Sequence, residues 1–347
     1  MMQESHSSSS AIQERNISTL KKDKETDESV EEKDDFKSDI RLKIDGLSQV
    51  VATHYNKLEE KGLKERNMSR IVYMRNFNNW IKSIFLSKFI GQIREESADD
   101  IKIIALDMCC GKGGDLMKWQ KANIRHLICA DIAETSISQC KERYEHLKKR
   151  GRIFSAEFVV ADCTKTKLKQ HLEVPEKKLD IVSCQFAFHY CFESLSQAET
   201  MIRNVSDVLR KGGYFIATIP DANKILICKK YDLELVYNKS FEELYEIGVK
   251  DRENRSLLFR MKALEMYPAV HGSNLSSSNE EEYCHVGEDS KERNTSSVKT
   301  MSKSEWEAIC KFIYGICIQK SNMMTTSELA RSTSRTNDIS LLFSSIS

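Results

Sequence analysis

The chain has 347 residues, enough to bury a sizeable core. Hydrophobic residues make up 40% and charged residues 30%, yet the net charge is only +1, so global charge points to no nucleic-acid partner and local charge must be read instead. There is no run of about 18 apolar residues and no apolar leader core in the opening MMQESHSSSS, so no membrane span is expected and a soluble intracellular protein is.

In chain order, residues 1–38 hold 10 acidic and 6 basic residues and almost no aromatics, which predicts a disordered tail. Residues 39–60 read as an amphipathic helix. Between 61 and 94, Lys61, Lys64, Arg66, Arg70, Arg75, Lys82, Lys88 and Arg94 face a single acid, Glu65. Tyr73, Phe77, Trp80, Phe85 and Phe89 interleave with them at roughly helical spacing. That pattern predicts a buried aromatic face, with an RNA-binding role for the basic face as the further possibility.

From 101 to 219 strands and helices alternate. Strands are expected at Ile101–Met108, His126–Ala130, Glu157–Ala161, Leu179–Gln185 and Tyr214–Ile219. Helices are expected from Asp115 to Ala122, Ser136 to Arg150, and Ser196 to Arg210, the last stopping at Gly212-Gly213. Buried strands separated by helices imply an α/β fold, a mostly parallel, doubly wound, Rossmann-like sheet. Its ligand crevice lies at the carboxyl ends of the strands. Further strands are expected at Leu233–Tyr237 and Phe312–Ile318, with a loop over 271–300 and a second disordered tail over 321–347. The 11 cysteines sit largely in apolar runs (Cys129, Cys184, Cys310, Cys317) without Cys-x-x-Cys spacing, so buried free thiols are expected and no metal.

The strongest local signal is Leu106-Asp107-Met108-Cys109-Cys110-Gly111-Lys112-Gly113-Gly114-Asp115, a buried strand that enters a helix through a glycine-rich turn. Asp131 follows 24 residues after Asp107 at the tip of the second strand, where an acid can accept both hydroxyls of a ribose, and Asp162 ends the third strand. Acids at three strand ends suit an adenosine ligand carrying a cationic group and suit a pyrophosphate poorly. The strict G-x-G-x-x-G spacing is also absent. The pattern favours S-adenosylmethionine, and a dinucleotide-dependent oxidoreductase stays open as the alternative. The bland reading of each acid is helix capping or a solvated turn.

Four runs then resemble the eukaryotic mRNA cap guanine-N7 methyltransferases, which are class I S-adenosylmethionine-dependent enzymes. They are Arg75-Asn76-Phe77-Asn78-Asn79-Trp80-Ile81-Lys82, the Gly111–Asp115 turn, Cys184-Gln185-Phe186 with His189-Tyr190, and Ser302-Lys303-Ser304-Glu305-Trp306-Glu307. The resemblance runs from about Ile40 to Tyr314, and the domain is expected over 39–320, with an N-terminal helical extension to the Rossmann-like core. It implies transfer of a methyl group to N7 of the 5′ cap guanine during mRNA capping, in the nucleus. Lys82, Cys109, Gly111, Asp131, Asp162, Gln185 and Tyr190 would line the cofactor, with Tyr190 also bordering the guanine. Asn78, Asn79, Lys112, Lys118 and Phe312 would meet the cap. No acid–base residue is expected, because N7 has no proton to lose. The capped mRNA 5′ end is the implied substrate, and a small activating subunit and the transcription and capping machinery are the implied partners. The bland alternatives are a solvated Lys82, surface charge at Lys112 and Lys118, turn residues at Asn78 and Asn79, and satisfied polar groups at Gln185 and Tyr190.

Three departures stand against the family pattern. Cys109 occupies a position where the family usually has glycine, so a positive φ there would be strained and the side chain would crowd the cofactor. Phe312 replaces a tyrosine that borders the cap. The chain also passes from Pro220 to Tyr231 with no room for the long acidic, aromatic lid the family carries. The C-terminus is atypical as well. A shortened form that is weakly active, or that only binds S-adenosylmethionine, RNA or a capping partner, is therefore the second hypothesis.

Overall fold

The computed structural model describes residues 48–57, 65, 67–97, 101–220, 228–269, 275–286 and 298–321. The expected tail at 1–38, and all of the one expected at 321–347 except Ser321, whose N–H bonds the Asp232 carbonyl at 2.8 Å, lie outside the described residues. The chain divides into two units, Met1–His54 and Tyr55–Ser347; of the first, only the helical residues 48–54 are described.

The second unit is built on a seven-stranded sheet. Its strands are β1 (Ile104–Met108), β2 (His126–Asp131), β3 (Ser155–Val160), β4 (Leu179–Gln185), β5 (Leu209–Pro220), β6 (Leu233–Ser240) and β9 (Ile313–Lys320), in the order β3-β2-β1-β4-β5-β9-β6. The first five pair in parallel, and β9 runs antiparallel between β5 and β6. A separate two-stranded ribbon joins β7 (Glu265–Tyr267) to β8 (Val298–Thr300). The helices are α1 (Val72–Glu95), α2 (Leu116–Lys121), α3 (Glu134–Lys149), α4 (Leu195–Val208), α5 (Phe241–Gly248), α6 (Arg252–Arg260) and α7 (Lys303–Trp306). None of the described helices is long and apolar enough to cross a membrane.

Alternation along the strands sends side chains to two cores, one on each sheet face. Ala105, Leu127, Cys129, Ile181 and Ile216 face one core, which the aromatic stripe of α1 covers. Leu106, Met108, Ile128, Ala130, Val182 and Ala217 face the other, which α4 covers. Phe77, Trp80, Phe85 and Phe89 are all essentially inaccessible, so the aromatic half of the basic segment is core. Its described cations do not gather into one stripe. Arg75 bonds Ser69, Lys88 lies over the rings of Phe89 and Tyr237, and Arg94 donates to the Ala122 carbonyl. Among the described residues of the segment, Lys82 is the cation that reaches the glycine turn, through Asp115.

The boundaries differ from the sequence expectation in four instructive places. The helix expected to run to Arg210 stops at Val208, because Leu209 pairs with Leu179 and the Arg210 guanidinium bonds Asp180 at 2.7 Å, drawing the chain into β5. Phe312 is not in a strand: it follows a π-turn at Glu307–Lys311, is 64% exposed, and β9 begins one residue later. The expected loop at 271–300 contains a 3-10 turn at Glu280–Tyr283 and strand β8. Between β6 and the ribbon lie α5 and α6, opened by Ser240 and Asp251, whose side chains each accept a backbone N–H.

Short as it is, the stretch from Pro220 to Leu233 still delivers β6 to the sheet edge. Residues 221–227 lie outside the described set, and a 3-10 turn at 228–231 precedes β6.

Candidate active site

The strand order sets the carboxyl ends of β3, β2, β1 and β4 side by side. Asp131 is the last residue of β2, the Cys109–Asp115 turn leaves β1, and Gln185 ends β4. Asp162 lies just past β3, in the loop rather than at the strand's last position. Because β9 runs the other way, Phe312 also falls at this edge, where Ile313 pairs with Pro220.

The turn is held open by backbone geometry. Cys109, Gly111 and Gly113 have φ of 59°, 53° and 73°. A side chain on Gly111 would meet nothing within 4 Å, so its peptide faces open space; one on Gly113 would strike the Cys140 sulfur at 2.7 Å. Glycine at 111 therefore leaves room for a ligand, and glycine at 113 allows close packing beneath. Cys109 does adopt the strained region, as expected. Its side chain, however, packs with the second core and hydrogen-bonds the Cys184 thiol.

Asp131 fixes the turn from below. Its carboxylate accepts the Gly111 N–H at 2.8 Å and the Ala133 N–H at 2.9 Å. Burial raises its pKa, and these two N–H groups oppose that rise. A carboxylate has about four acceptor sites, so with the Gly111, Ala133 and Ile132 N–H groups turned toward it some acceptor capacity remains for a ligand. In Asp162, one oxygen accepts the N–H and hydroxyl of Thr164, at 2.9 and 2.6 Å, and the other stands 3.9 Å from Lys165. Asp107 does not belong with these acids. It lies within β1, buried, bonded to the Trp119 indole at 3.2 Å, and burial first and Asp115 second push its pKa well up.

A second group forms between α1 and α2. Lys82 donates to Asp115 at 2.9 Å, and Lys118 donates to the same carboxylate at 2.5 Å and to the Asn79 side-chain oxygen at 3.3 Å. Burial acts to raise the Asp115 pKa, and the two ammoniums outweigh it and hold the group below its ordinary value. Lys118 is nevertheless shifted down, because burial and the nearby Lys82 exceed the help from Asp115. One carboxylate thus serves two crowded cations. The Lys82 ammonium also lies 5.9 Å from the centre of the Phe186 ring, which brings this group alongside the end of β4.

At that end, Gln185 donates to Ser183 at 3.0 Å while its side-chain oxygen is buried without a partner. The Asn78 side-chain oxygen is in the same condition. Buried acceptors of this kind mark places where a donor is missing. Phe186 takes φ of 60° and gives its N–H to the buried Thr218 hydroxyl at 2.8 Å, turning the chain toward His189 and Tyr190, whose rings lie 4.2 Å apart. Lys112 is half-buried within the turn.

Two participants were not expected from sequence. Asp115 organises the lysines. Tyr55 shares a hydrogen bond with Tyr190, and its pKa is raised by burial first, then by Tyr190, Asp131 and Cys109. The Ser302–Glu307 motif, by contrast, is architectural. Ser302 caps α7 by accepting the Glu305 N–H, and Trp306 packs against Phe77 and Tyr245 at ring separations of 5.9 and 5.2 Å.

Comparison with known proteins identifies the family. The family model described as mRNA (guanine-N(7))-methyltransferase domain matches residues 41–228 and 225–321, two segments that meet in the short β5–β6 connection. The chain is 37% identical over 337 residues to the mRNA cap guanine-N(7) methyltransferase of Drosophila melanogaster, covering 79% of this chain and 77% of that one. It is 35% identical over 327 residues to the protein of that name from Caenorhabditis briggsae, covering 76% and 84%. With the Schizosaccharomyces pombe protein of the same name it shares 42% over 177 residues, covering 51% and 47%.

Proposed function

The chain belongs to the mRNA (guanine-N(7))-methyltransferase family, whose enzymes use S-adenosylmethionine, and from that premise we propose how its own residues divide the work. S-adenosylmethionine supplies a sulfonium methyl group, which N7 of the cap guanine takes with its lone pair and with no proton to remove. Lys82, Cys109, Gly111, Asp131, Asp162, Gln185 and Tyr190 hold the cofactor. Asp131 offers its remaining acceptor capacity to the ribose, the Gly111 peptide lies against the ligand, and Asp162 receives an amine. Gln185 and Lys82 bind the amino-acid end. Asn78, Asn79, Lys112, Lys118 and Phe312 receive the cap, the lysines against its phosphates. The observation that carries this division is the convergence of Asp131, the open face of Gly111 and the unpartnered Gln185 oxygen at adjoining strand ends.

With no general base, the rate rests on alignment of N7 with the methyl carbon, which can lower a barrier by roughly 7–11 kcal/mol. Enclosure of the guanine matters for that alignment, and the β5–β6 connection leaves little chain to provide it. We propose turnover slower than that of a protein bearing the family's longer segment. A small activating subunit, the capping machinery and a nuclear site of action belong to the same reading. The test is methyl transfer from labelled S-adenosylmethionine to capped RNA, beside a variant into which the longer segment is grafted. Transfer to N7 by both, faster in the graft, is expected. No transfer by either would refute the proposed division, and equal rates would show that enclosure comes from elsewhere.

A further inference from the structure

Beneath the glycine turn lie three sulfur atoms that no part of the methyl-transfer chemistry uses. Cys110 belongs to the turn itself, Cys129 to β2 and Cys140 to α3, and their Sγ atoms all lie within 4.8 Å of one another. Cys129 and Cys140 are inaccessible, while Cys110 is partly exposed and gives the group a way in. The Cys140 sulfur also packs directly under Gly113.

We propose that Cys110, Cys129 and Cys140 form a capture site for a trivalent arsenical, and that its occupation disturbs the cofactor turn. Three thiolates around one centre define a trigonal site, and no fourth His, Cys, Asp or Glu atom joins the group among the described residues. Zinc sites of the structural kind close with four ligands, so the geometry disfavours zinc. Charge disfavours it too. A divalent ion with three thiolates leaves a net negative charge in a buried place already beside the Asp107 carboxyl, with Arg143 a cation acting on Cys140. Trivalent arsenic leaves none. Arsenous acid and three thiols give the tris-thiolate and three waters: three As–O bonds break, three As–S bonds form, the thiol protons leave as water, and no electron changes hands.

Drawing the three sulfurs onto one atom pulls Cys110 inward. Its backbone N–H bonds the Ala130 carbonyl at 3.1 Å, and its neighbours on both sides, Cys109 and Gly111, hold positive φ. The turn has little slack, so capture and cofactor binding must oppose each other, and reciprocally so.

The experiment treats the full chain with arsenite, reads intact mass, then counts reactive thiols after denaturation without reductant. One arsenic per chain with three hydrogens lost, and three of the 11 thiols protected, is expected. Cys129→Ala and Cys140→Ala, each first shown to be folded by circular dichroism, should weaken capture at least tenfold, and Cys184→Ala should leave it unchanged. Cys184 is the control because it pairs with Cys109 as a competing dithiol. Titration with S-adenosylhomocysteine should show about tenfold weaker affinity in the arsenic-loaded protein, and saturating S-adenosylhomocysteine should slow capture. Protection of two thiols, insensitivity to Cys129→Ala and Cys140→Ala, tight stoichiometric zinc binding at the same thiols, or unchanged cofactor affinity in the loaded protein would each overturn the proposal. The coupling arm rests on the cofactor reading. Failure of the untreated protein to bind S-adenosylhomocysteine would refute that reading, while the mass and thiol counts still judge the site.

Discussion

Replacing Asp115 by Asn is the sharpest test of the α1–α2 group. The Asp115 side chain is 11% exposed and binds the ammoniums of Lys82 and Lys118, whose side chains are 15% and 12% exposed. Asparagine keeps the shape and an acceptor but removes the charge. Two cations held by one carboxylate stand about 5 Å apart, and at an effective permittivity near 20 their mutual repulsion is about 3 kcal/mol. Breaking a buried pair by deleting one partner costs about 3–5 kcal/mol. Residual exposure lets the lysines swing partly toward water, so the lower figure, about 3 kcal/mol, is expected. At about 2–4 °C per kcal/mol, the melting midpoint falls by roughly 6–12 °C. The pH dependence has a definite sign. Asp115 has a folded pKa below its unfolded value, so its contribution is present above the ordinary carboxylate range, near about 3.9, and is lost as pH falls through the depressed folded value. Differential scanning calorimetry at neutral pH and in acid measures both. A midpoint lowered by less than about 2 °C at neutral pH would refute the claim that one carboxylate holds two buried cations. S-adenosylhomocysteine affinity should fall in the same variant, since Lys82 loses the group that aims it.

Asp131→Ala should weaken S-adenosylhomocysteine binding at least tenfold by calorimetry, because it removes both the proposed ribose acceptor and the support of the Gly111 N–H; unchanged affinity would end the assignment. Since burial raises the Asp131 pKa, wild-type affinity should begin to fall on acidification while still above the ordinary carboxylate range, and the Ala variant should lack that limb. Cys109→Gly relieves a left-handed backbone worth about 1–2 kcal/mol but adds chain entropy of about 0.5–1 kcal/mol and loses the packing against Cys184. Its unfolding free energy in urea should stay within about 1 kcal/mol of wild type, and a loss above twice that would show that packing dominates. Trp306→Ala should cost about 2–3 kcal/mol in urea, below the range for fully buried tryptophan, through the contacts with Phe77 and Tyr245; cofactor affinity should be nearly unaffected.

The parallel sheet, the glycine turn and the placement of Asp131 and Gln185 were legible in the sequence because each is a local pattern: an apolar run, a breaker, an acid at its end. What was not legible depends on pairings across the fold. Asp107 reads like Asp131, an acid near the end of an apolar run, and only the packing of Trp119 over β1 separates the buried one from the one at the edge. Tyr55 lies in a helix whose pattern says nothing of Tyr190. The three cysteines become neighbours through the β1–β2 register, in which Met108 faces Ala130, and through the docking of α3, so spacing along the chain gives no hint of them. Helices α5 and α6 did carry a signal, Ser240 three residues before Glu243 and Asp251 at the second helix start, the kind of cap that announces a helix.

The turn shows how local pattern and tertiary demand meet. Positive φ is required at three of the five positions from 109 to 113, and glycine occupies two of them. At Gly113 the requirement is absolute, since the Cys140 sulfur leaves no room for a Cβ. At Gly111 it is functional, since the space above the peptide is open. At Cys109 neither reason operates: the side chain has somewhere to go, the pocket beside Cys184, so a non-glycine residue is tolerated at a backbone cost of about 1–2 kcal/mol. The departure from glycine at 109 is thus a local exchange of strain for packing, and it leaves intact Gly111, on which access to the site depends, and Gly113, on which the packing beneath it depends.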